Sequence, residues 1–339
     1  MDSALIQNVQ DTATHLLDIQ AVKIWYKTYR GNAKVVDGVS LFVDRGEKIG
    51  LVGESGCGKT TTMKAVLRLL DPAQSMIPGG KILLKGENIL EFSNQKMLNI
   101  RRKEIAMISQ EPMAALNPVF TVGQQLFDVV RFSGAYPTYT RNEINELCKS
   151  TINNVLISDP ERILNSYPHQ LSGGMRQRVC IATALITPRS LIIADEPGTA
   201  LDVTIQDQIH KLLKLQVERN NLALIMITHS LGVARELVDR IYIMYAGTIV
   251  ETAKTDLLFA NPLHPYTDGL LKCVPRLSGG GISAGIYGYV PDYINVSTGC
   301  RFFPRCPDAM DVCRDNHPPI FKVDENHEVA CFKYADIGK

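Results

Sequence analysis

The stretch GESGCGKT at residues 53–60 constrains this chain more than any other feature. It fits the pattern G-x-x-x-x-G-K-S/T and lies between an apolar run, EKIGLVG at 47–53, and TTTMKAVLRLL at 60–70, which has helical spacing. Glycines let backbone N–H groups turn toward phosphate oxygens, and the start of the next helix adds a positive dipole. A glycine-rich turn with a chance lysine is the plain alternative. The flanking strand and helix favour a phosphate-binding loop.

Two side chains of this loop carry the expected chemistry. Lys59 is predicted to reach the β- and γ-phosphates of a nucleotide, and the hydroxyl of Thr60 to bind Mg²⁺. The candidate nucleotide-binding residues are Gly53, Glu54, Ser55, Gly56, Cys57, Gly58, Lys59, Thr60 and Thr61.

A matching pair of carboxylates follows the apolar stretch SLIIADEP at 190–197. Asp195 is predicted to hold Mg²⁺, directly or through water, and Glu196 to polarise the water that attacks the γ-phosphate. The alternative is a pair of helix-capping residues before Pro197.

Strand-like and helix-like segments alternate along most of the chain, which predicts an α/β core with a mainly parallel sheet. A helical stretch at about 113–180 interrupts this alternation and is expected to form its own subdomain. The breakers of DPAQSMIPGG at 71–80 are expected to close the helix at 60–70, and strand character to resume at GKILLKGENIL, residues 80–90. After about residue 262 periodicity fades, which predicts a small appendage.

Composition excludes several classes of protein. The formal net charge of +1 gives no reason to expect a nucleic-acid partner. No run approaches the roughly 18 apolar residues of a membrane span. The first residues lack the pattern of a signal peptide, so the chain is expected to be cytosolic.

Four of the eight cysteines lie in the last forty residues, which favours a metal site over disulfides in a reducing compartment. Five, six and seventeen residues separate them, and this spacing leaves zinc and an iron–sulfur cluster equally open, with uncommitted thiols a third alternative. Nearby arginines either offset part of the negative charge of a bound cluster or are simply solvated. The order of the chain gives no link between this tail and phosphate chemistry. The residues are Cys300, Cys306, Cys313 and Cys331, with Arg301, Arg305 and Arg314 among them.

Six motifs occur in a telling order: the phosphate loop, ISQEP, LSGGMRQR, a strand ending in Asp-Glu, ALD and ITH. Over residues 18–262 this order resembles the ATPase subunit of ABC transporters. The resemblance implies a P-loop NTPase core with an antiparallel β subdomain and a helical signature subdomain, within residues 1–262, followed by a loop-rich extension at 263–339. It implies hydrolysis of ATP with Mg²⁺.

The resemblance also assigns a role to LSGGMRQR. Ser172, Gly173, Gly174 and Met175 are expected to bind the ATP held by an opposite cassette across a head-to-tail dimer. Ala200, Leu201 and Asp202 are expected to cross the same dimer interface.

Further roles carry over position by position. Gln110 is expected to contact Mg²⁺ and the attacking water, Glu196 to act as general base, and His229 to orient Glu196. His229 alone would read as an ordinary histidine at a strand end. Tyr29 is expected to stack on adenine, with Tyr26 the alternative.

A closer resemblance is to the oligopeptide/dipeptide import branch, through SQEPMAALNPVFTVGQQL, YPHQLSGGMRQRV, HPYTDGLL and GCRFFPRCP. Two residues depart from that branch: Gly198 stands where threonine is usual and Ser230 where aspartate is usual. These departures suggest one protomer of a heterodimer. The branch implies a 4Fe-4S cluster on the four cysteines, with zinc the alternative.

The implied partners are a second ATPase subunit, two transmembrane permease subunits at the cytoplasmic face, and, indirectly, an extracytoplasmic solute-binding protein. The segment QEPMAALNPVF at 110–120 is the expected permease contact, although it could be a simple loop. Oligosaccharide or nickel import is an alternative to peptide import, and a soluble ABC ATPase of translation or DNA repair is a further one. A GTPase is disfavoured because no N-K-x-D stretch is present.

Overall fold

The computed structural model describes residues 15–199, 201–274 and 285–336. The strands within these ranges are β1 Leu17–Thr28, β2 Gly31–Val43, β3 Lys48–Val52, β4 Ser75–Leu84, β5 Glu87–Asn88, β6 Ile105–Ile108, β7 Leu191–Asp195, β8 Ala223–Thr228, β9 Arg240–Tyr245, β10 Thr248–Lys254, β11 Phe321–Asp324 and β12 His327–Val329.

Along the chain, most helices connect strands of the main sheet, and several of them lie in the single stretch between β6 and β7. In chain order the described α-helices are α1 Lys59–Val66, α2 Asn94–Lys103, α3 Pro112–Ala115, α4 Val122–Ser133, α5 Arg141–Asn154, α6 Pro160–Asn165, α7 Gly173–Leu185, α8 Val203–Arg219, α9 Leu231–Leu237, α10 Thr255–Ala260, α11 Pro265–Lys272 and α12 Val312–Asp315. No helix of the described ranges is long and apolar enough to cross a membrane.

The larger sheet has the strand order β11-β12-β10-β9-β3-β8-β7-β6. From β9 to β6 the neighbouring strands are parallel, whereas β10, β11 and β12 pair antiparallel. Every residue of β7 and β8 is buried, because a parallel sheet is covered on both faces. These strands form the centre of the hydrophobic core, and the alternation seen in the sequence predicted them.

The smaller sheet is antiparallel, in the order β2-β1-β4-β5. The preceding helix has ended before this segment, as expected, but strand β4 begins at Ser75 and runs through Pro78, which is earlier than the predicted start at residue 80. Pro78 is tolerated because β5 pairs with β4 only at its far end, which leaves the proline on a free strand edge. Gly80 is required there, since a Cβ atom would lie 2.4 Å from the Cα of Val22 in β1.

Helices α4 and α5 dominate the stretch between β6 and β7. Both begin with a capping box, in which the N-cap threonine and the side chain three residues later satisfy each other's backbone N–H groups: Thr121 with Gln124, and Thr140 with Glu143. Their buried faces pack against α7 and α6, as the helical spacing at 121–165 predicted.

Two strands of the segment after residue 262, β11 and β12, join the main sheet. Strand β12 pairs with β10, placing Val329 opposite Glu251. The Glu251 carboxylate is fully buried and accepts hydrogen bonds from the backbone N–H groups of Leu263 and His264, at 2.8 and 2.9 Å, while His327 Nε2 lies 2.7 Å from it. The sequence predicted little periodic structure in this tail. The tail contains the paired strands β11 and β12, and the buried Glu251 carboxylate fastens it to the main sheet.

Replacing Glu251 with alanine should lower the free energy of unfolding by about 3–5 kcal/mol, because two buried N–H groups and a buried imidazole lose their acceptor. Chemical denaturation measures this loss. Glu328→Gln, on the exposed face of β12, is the matched control and should change stability by less than about 0.5 kcal/mol. Equal stabilities of the two variants would contradict the fastening role.

Candidate active site

The phosphate loop lies where β3 ends and α1 begins. Gly58 is the N-cap of α1 and has a φ of +108°, a backbone conformation that residues with a Cβ atom rarely adopt. At Gly53 the constraint is space, since a Cβ would lie 2.1 Å from the carbonyl oxygen of Met244. The two glycines therefore set the path of the loop.

Lys59 is almost completely buried beneath this loop. Its Nζ donates to the carbonyl oxygens of Gly53 and Glu54, at 2.7 and 2.9 Å. These bonds hold the ammonium group at the loop, which is where a phosphate-binding lysine belongs.

Thr60 and Asp195 come together across 135 residues of sequence. The Thr60 hydroxyl lies 3.0 Å from each carboxylate oxygen of Asp195. Burial raises the pKa of Asp195, and the hydrogen bond from Thr60 offsets part of this rise. A hydroxyl beside a carboxylate suits Mg²⁺, which prefers oxygen ligands.

Three side chains surround Glu196 Oε2. Gln110 Nε2 donates at 3.3 Å, His229 Nδ1 lies at 3.1 Å and the Thr199 hydroxyl donates at 3.0 Å. Glu196 has a φ of +44°, so its backbone is held in an unfavourable conformation. The structure thus brings together Gln110, Glu196 and His229, the three residues that the resemblance predicted.

Thr199 was missed as a contact of Glu196. The backbone N–H groups of Gly198 and Thr199 both donate to the Glu196 carbonyl, at 2.7 and 3.3 Å, and this turn carries the Thr199 hydroxyl back to the carboxylate. A threonine three residues after a strand-end glutamate was the only available signal.

The signature loop forms the N-terminus of α7. The exposed Ser172 caps this helix by accepting a hydrogen bond from the N–H of Met175 at 3.3 Å. The two glycines allow close packing, because a Cβ on Gly173 would lie 3.1 Å from Leu201 and one on Gly174 would lie 2.9 Å from Ile205. Hydroxyl, free N–H groups and helix dipole are all available to an anion.

Other predicted residues have simpler environments. Asp202 is exposed and precedes α8, while Ala200 lies outside the described residues. Tyr29, at the β1–β2 turn, is 98% exposed and free to stack on a base. Tyr26 packs partly against the core of the smaller sheet.

The two departures have structural explanations. Ser230 caps α9 by accepting from the N–H of Val233 at 3.4 Å, so its hydroxyl does what aspartate would do at an N-cap. A Cβ at Gly198 would lie 2.8 Å from Cγ of Gln206, so a larger residue requires this side chain to move.

The tail contacts the phosphate loop, a proximity that chain order did not indicate. Arg305 forms an ion pair with Glu54, with Nη1 and Oε2 2.9 Å apart. Arg301 is also buried, whereas Arg314 is exposed. Two of the three arginines are therefore bound to the cassette and not solvated.

The four tail cysteines lie near one another. The N–H of Cys300 donates to the carbonyl of Cys313 at 2.8 Å. Burial raises the pKa of the Cys306 thiol to about 11, and Cys331 and Cys300 add to this rise. Nevertheless, within the described ranges no group of three or more His, Cys, Asp or Glu residues is arranged to hold a metal ion. The thiols do not form a ready metal site.

Comparison with known proteins decides the family. A model of the ABC transporter family matches residues 36–199, and one of the oligopeptide/dipeptide transporter C-terminal region matches residues 250–313. The chain is 43% identical to a probable peptide ABC transporter ATP-binding protein of Sinorhizobium fredii, covering 95% of this chain and 96% of that protein. It is 41% identical to the oligopeptide transport ATP-binding protein AppD of Bacillus subtilis, covering 95% and 98%.

The chain belongs to the oligopeptide/dipeptide branch of the ABC transporter ATP-binding proteins. It is an ABC-type ATPase, as the motif order predicted.

Solved structures agree with this assignment. The cassette MJ0796, in a dimeric post-hydrolysis state bound to ADP and Pi, matches with a TM-score of 0.63 and 26% identity, covering 70% of this chain and 98% of that one. CbiO1 from Clostridium perfringens, part of an ABC transporter complex, matches with a TM-score of 0.61 at 23% identity, which supports the fold alone. The predicted fold class is confirmed.

Proposed function

We propose that this protein is the peripheral ATP-hydrolysing subunit of a peptide importer and that Glu196 is its general base. The arrangement of Gln110, His229 and Thr199 around Glu196 Oε2 carries the proposal, because it fixes one carboxylate at the strand edge beside the phosphate loop. Relatives named as peptide or oligopeptide transport proteins support the solute class over oligosaccharides or nickel.

Each group of the site has a distinct task in this proposal. Lys59 binds the phosphates, while Thr60, Asp195 and Gln110 hold Mg²⁺, which offsets phosphate charge when bound. Glu196 accepts the proton of the attacking water. His229 orients Glu196 from a position that is half exposed and open to the nucleotide.

ATP hydrolysis on this scheme requires a second cassette. Ser172 is exposed, Gly173 and Gly174 are half-buried at the first turn of α7, and their hydroxyl and N–H groups have the chemistry to bind the γ-phosphate held by an opposite subunit. Gly198 and Ser230 favour a different chain as that subunit. Tyr29 would stack on adenine in the protein's own site.

Docking at the cytoplasmic face of a membrane is the remaining part of the proposal. The segment after Gln110 exposes three apolar side chains, Met113, Val119 and Phe120, which are 48, 70 and 48% accessible. An exposed apolar group beside a residue that contacts Glu196 suits a contact with the permease subunits.

Glu196→Gln should bind Mg-ATP with near-normal affinity and lose at least about 100-fold in turnover, because an amide cannot accept the proton. Phosphate release by the assembled transporter and equilibrium ATP binding measure the two effects. Glu218→Gln, an exposed residue of α8, is the control and should behave like the wild type. Near-wild-type turnover of Glu196→Gln would contradict the general-base assignment.

We also propose, from the family resemblance, that Cys300, Cys306, Cys313 and Cys331 bind a 4Fe-4S cluster. Anaerobically purified protein should then be brown and contain about four irons per chain. Cys306→Ser should remove the colour, whereas Cys273→Ser, outside the set, should retain it. Stoichiometric zinc with negligible iron would contradict the cluster.

A further inference from the structure

The phosphate loop is held by residues that come more than two hundred positions later in the chain. The backbone N–H of Glu54 donates to the hydroxyl of Tyr266 in α11 at 3.0 Å, and the hydroxyl of Tyr293 donates to the carbonyl of Gly56 at 2.9 Å. Tyr266 is completely buried, so its hydroxyl is fixed in place. Two backbone groups of the loop thus depend on the C-terminal extension.

Arg305 adds a third and charged contact. Its Nη1 and Nη2 donate to the two carboxylate oxygens of Glu54 at 2.9 and 3.1 Å, in the bidentate geometry that gives the strongest guanidinium–carboxylate pairs. Nε and Nη2 also donate to the carbonyls of Tyr287 and Ile286, at 3.0 and 3.1 Å. The Arg305 side chain is only 5% exposed and that of Glu54 is 26% exposed, so the pair is partly shielded from solvent.

The charge of Glu54 makes this pair matter for nucleotide binding. A carboxylate inside a phosphate-binding loop repels an incoming triphosphate, and partial burial reduces screening of that repulsion. Arg305 neutralises the carboxylate and holds it to one side of the loop. No other cation is within hydrogen-bonding distance of the Glu54 carboxylate among the described residues.

We propose that Arg305 is a positioning residue for the phosphate loop and that, through its ion pair with Glu54, the C-terminal extension sets the affinity for ATP. The inference rests on the proposed role of the loop in binding the phosphates. Among the described residues Arg305 contacts none of the groups around Glu196, so it acts on ATP binding and not on the hydrolytic step.

The same contact ties the cysteine segment to the nucleotide site. Arg305 directly precedes Cys306, and Arg301 directly follows Cys300. Arg301 is 5% exposed and donates from Nη2 to the carboxylate of Asp37 in β2 at 2.8 Å. Cys300 and Cys306 are therefore each adjacent in sequence to an arginine that is bound to the cassette.

A charge-removal cycle tests the proposal in the purified full chain, with a fluorescent ATP analogue as the probe. Arg305→Ala should weaken binding about tenfold, because Glu54 is left unpaired beside the phosphates. The double variant Arg305→Ala with Glu54→Gln should return to within about threefold of wild type, since the repulsive charge is gone. In the assembled transporter, Arg305→Ala should raise KM with little change in kcat.

Arg314→Ala is the matched control, because this exposed arginine also adjoins a tail cysteine and contacts no residue of the phosphate loop. It should bind the analogue as the wild type does. Unchanged affinity in Arg305→Ala, or a double variant as weak as the single one, would overturn the proposal. Unchanged affinity in Lys59→Ala would instead contradict the role of the loop itself, and this proposal with it.

Discussion

The parallel pairing of β3, β8 and β7 is the constraint on which the active site depends. Val52 lies beside Thr228, and Ile227 beside Asp195, so the three strands end at one edge. Each strand is followed at once by a polar segment: the phosphate loop, His229 and Glu196. Burial of the apolar strands therefore also fixes the positions of the polar groups. A shift in strand pairing would both expose the core and move the site residues apart.

Much of this arrangement was predictable from sequence because it depends on local patterns. Apolar runs predicted the buried strands, the phosphate-loop pattern predicted Lys59, and the carboxylate pair at the end of a strand predicted Asp195 and Glu196. What the sequence could not provide depends on contacts between distant residues or on turn geometry. Thr199 reaches Glu196 through a turn with positive φ, and β4 continues through Pro78 because a neighbouring strand is short.

The pairing of Arg305 with Glu54 is the clearest case of information absent from local sequence. The two residues lie 251 positions apart, and each alone reads as an ordinary solvated charge. Only the fold shows that the tail is fastened by Glu251 where it begins, reaches the phosphate loop through Arg305 and then joins the core sheet through β12. The extension is consequently part of the nucleotide site's support, and its cysteines are close to that support.

We expect the phosphate loop to have its binding shape before nucleotide binds, because glycine packing, Lys59 and the C-terminal extension set its path. A crystal structure of the chain with Mg²⁺ and a non-hydrolysable ATP analogue tests it most directly. Lys59 Nζ should move from the carbonyls of Gly53 and Glu54 to the phosphates, while the loop backbone and the Arg305–Glu54 pair stay in place. A loop displaced by more than about 2 Å with that pair broken would contradict it.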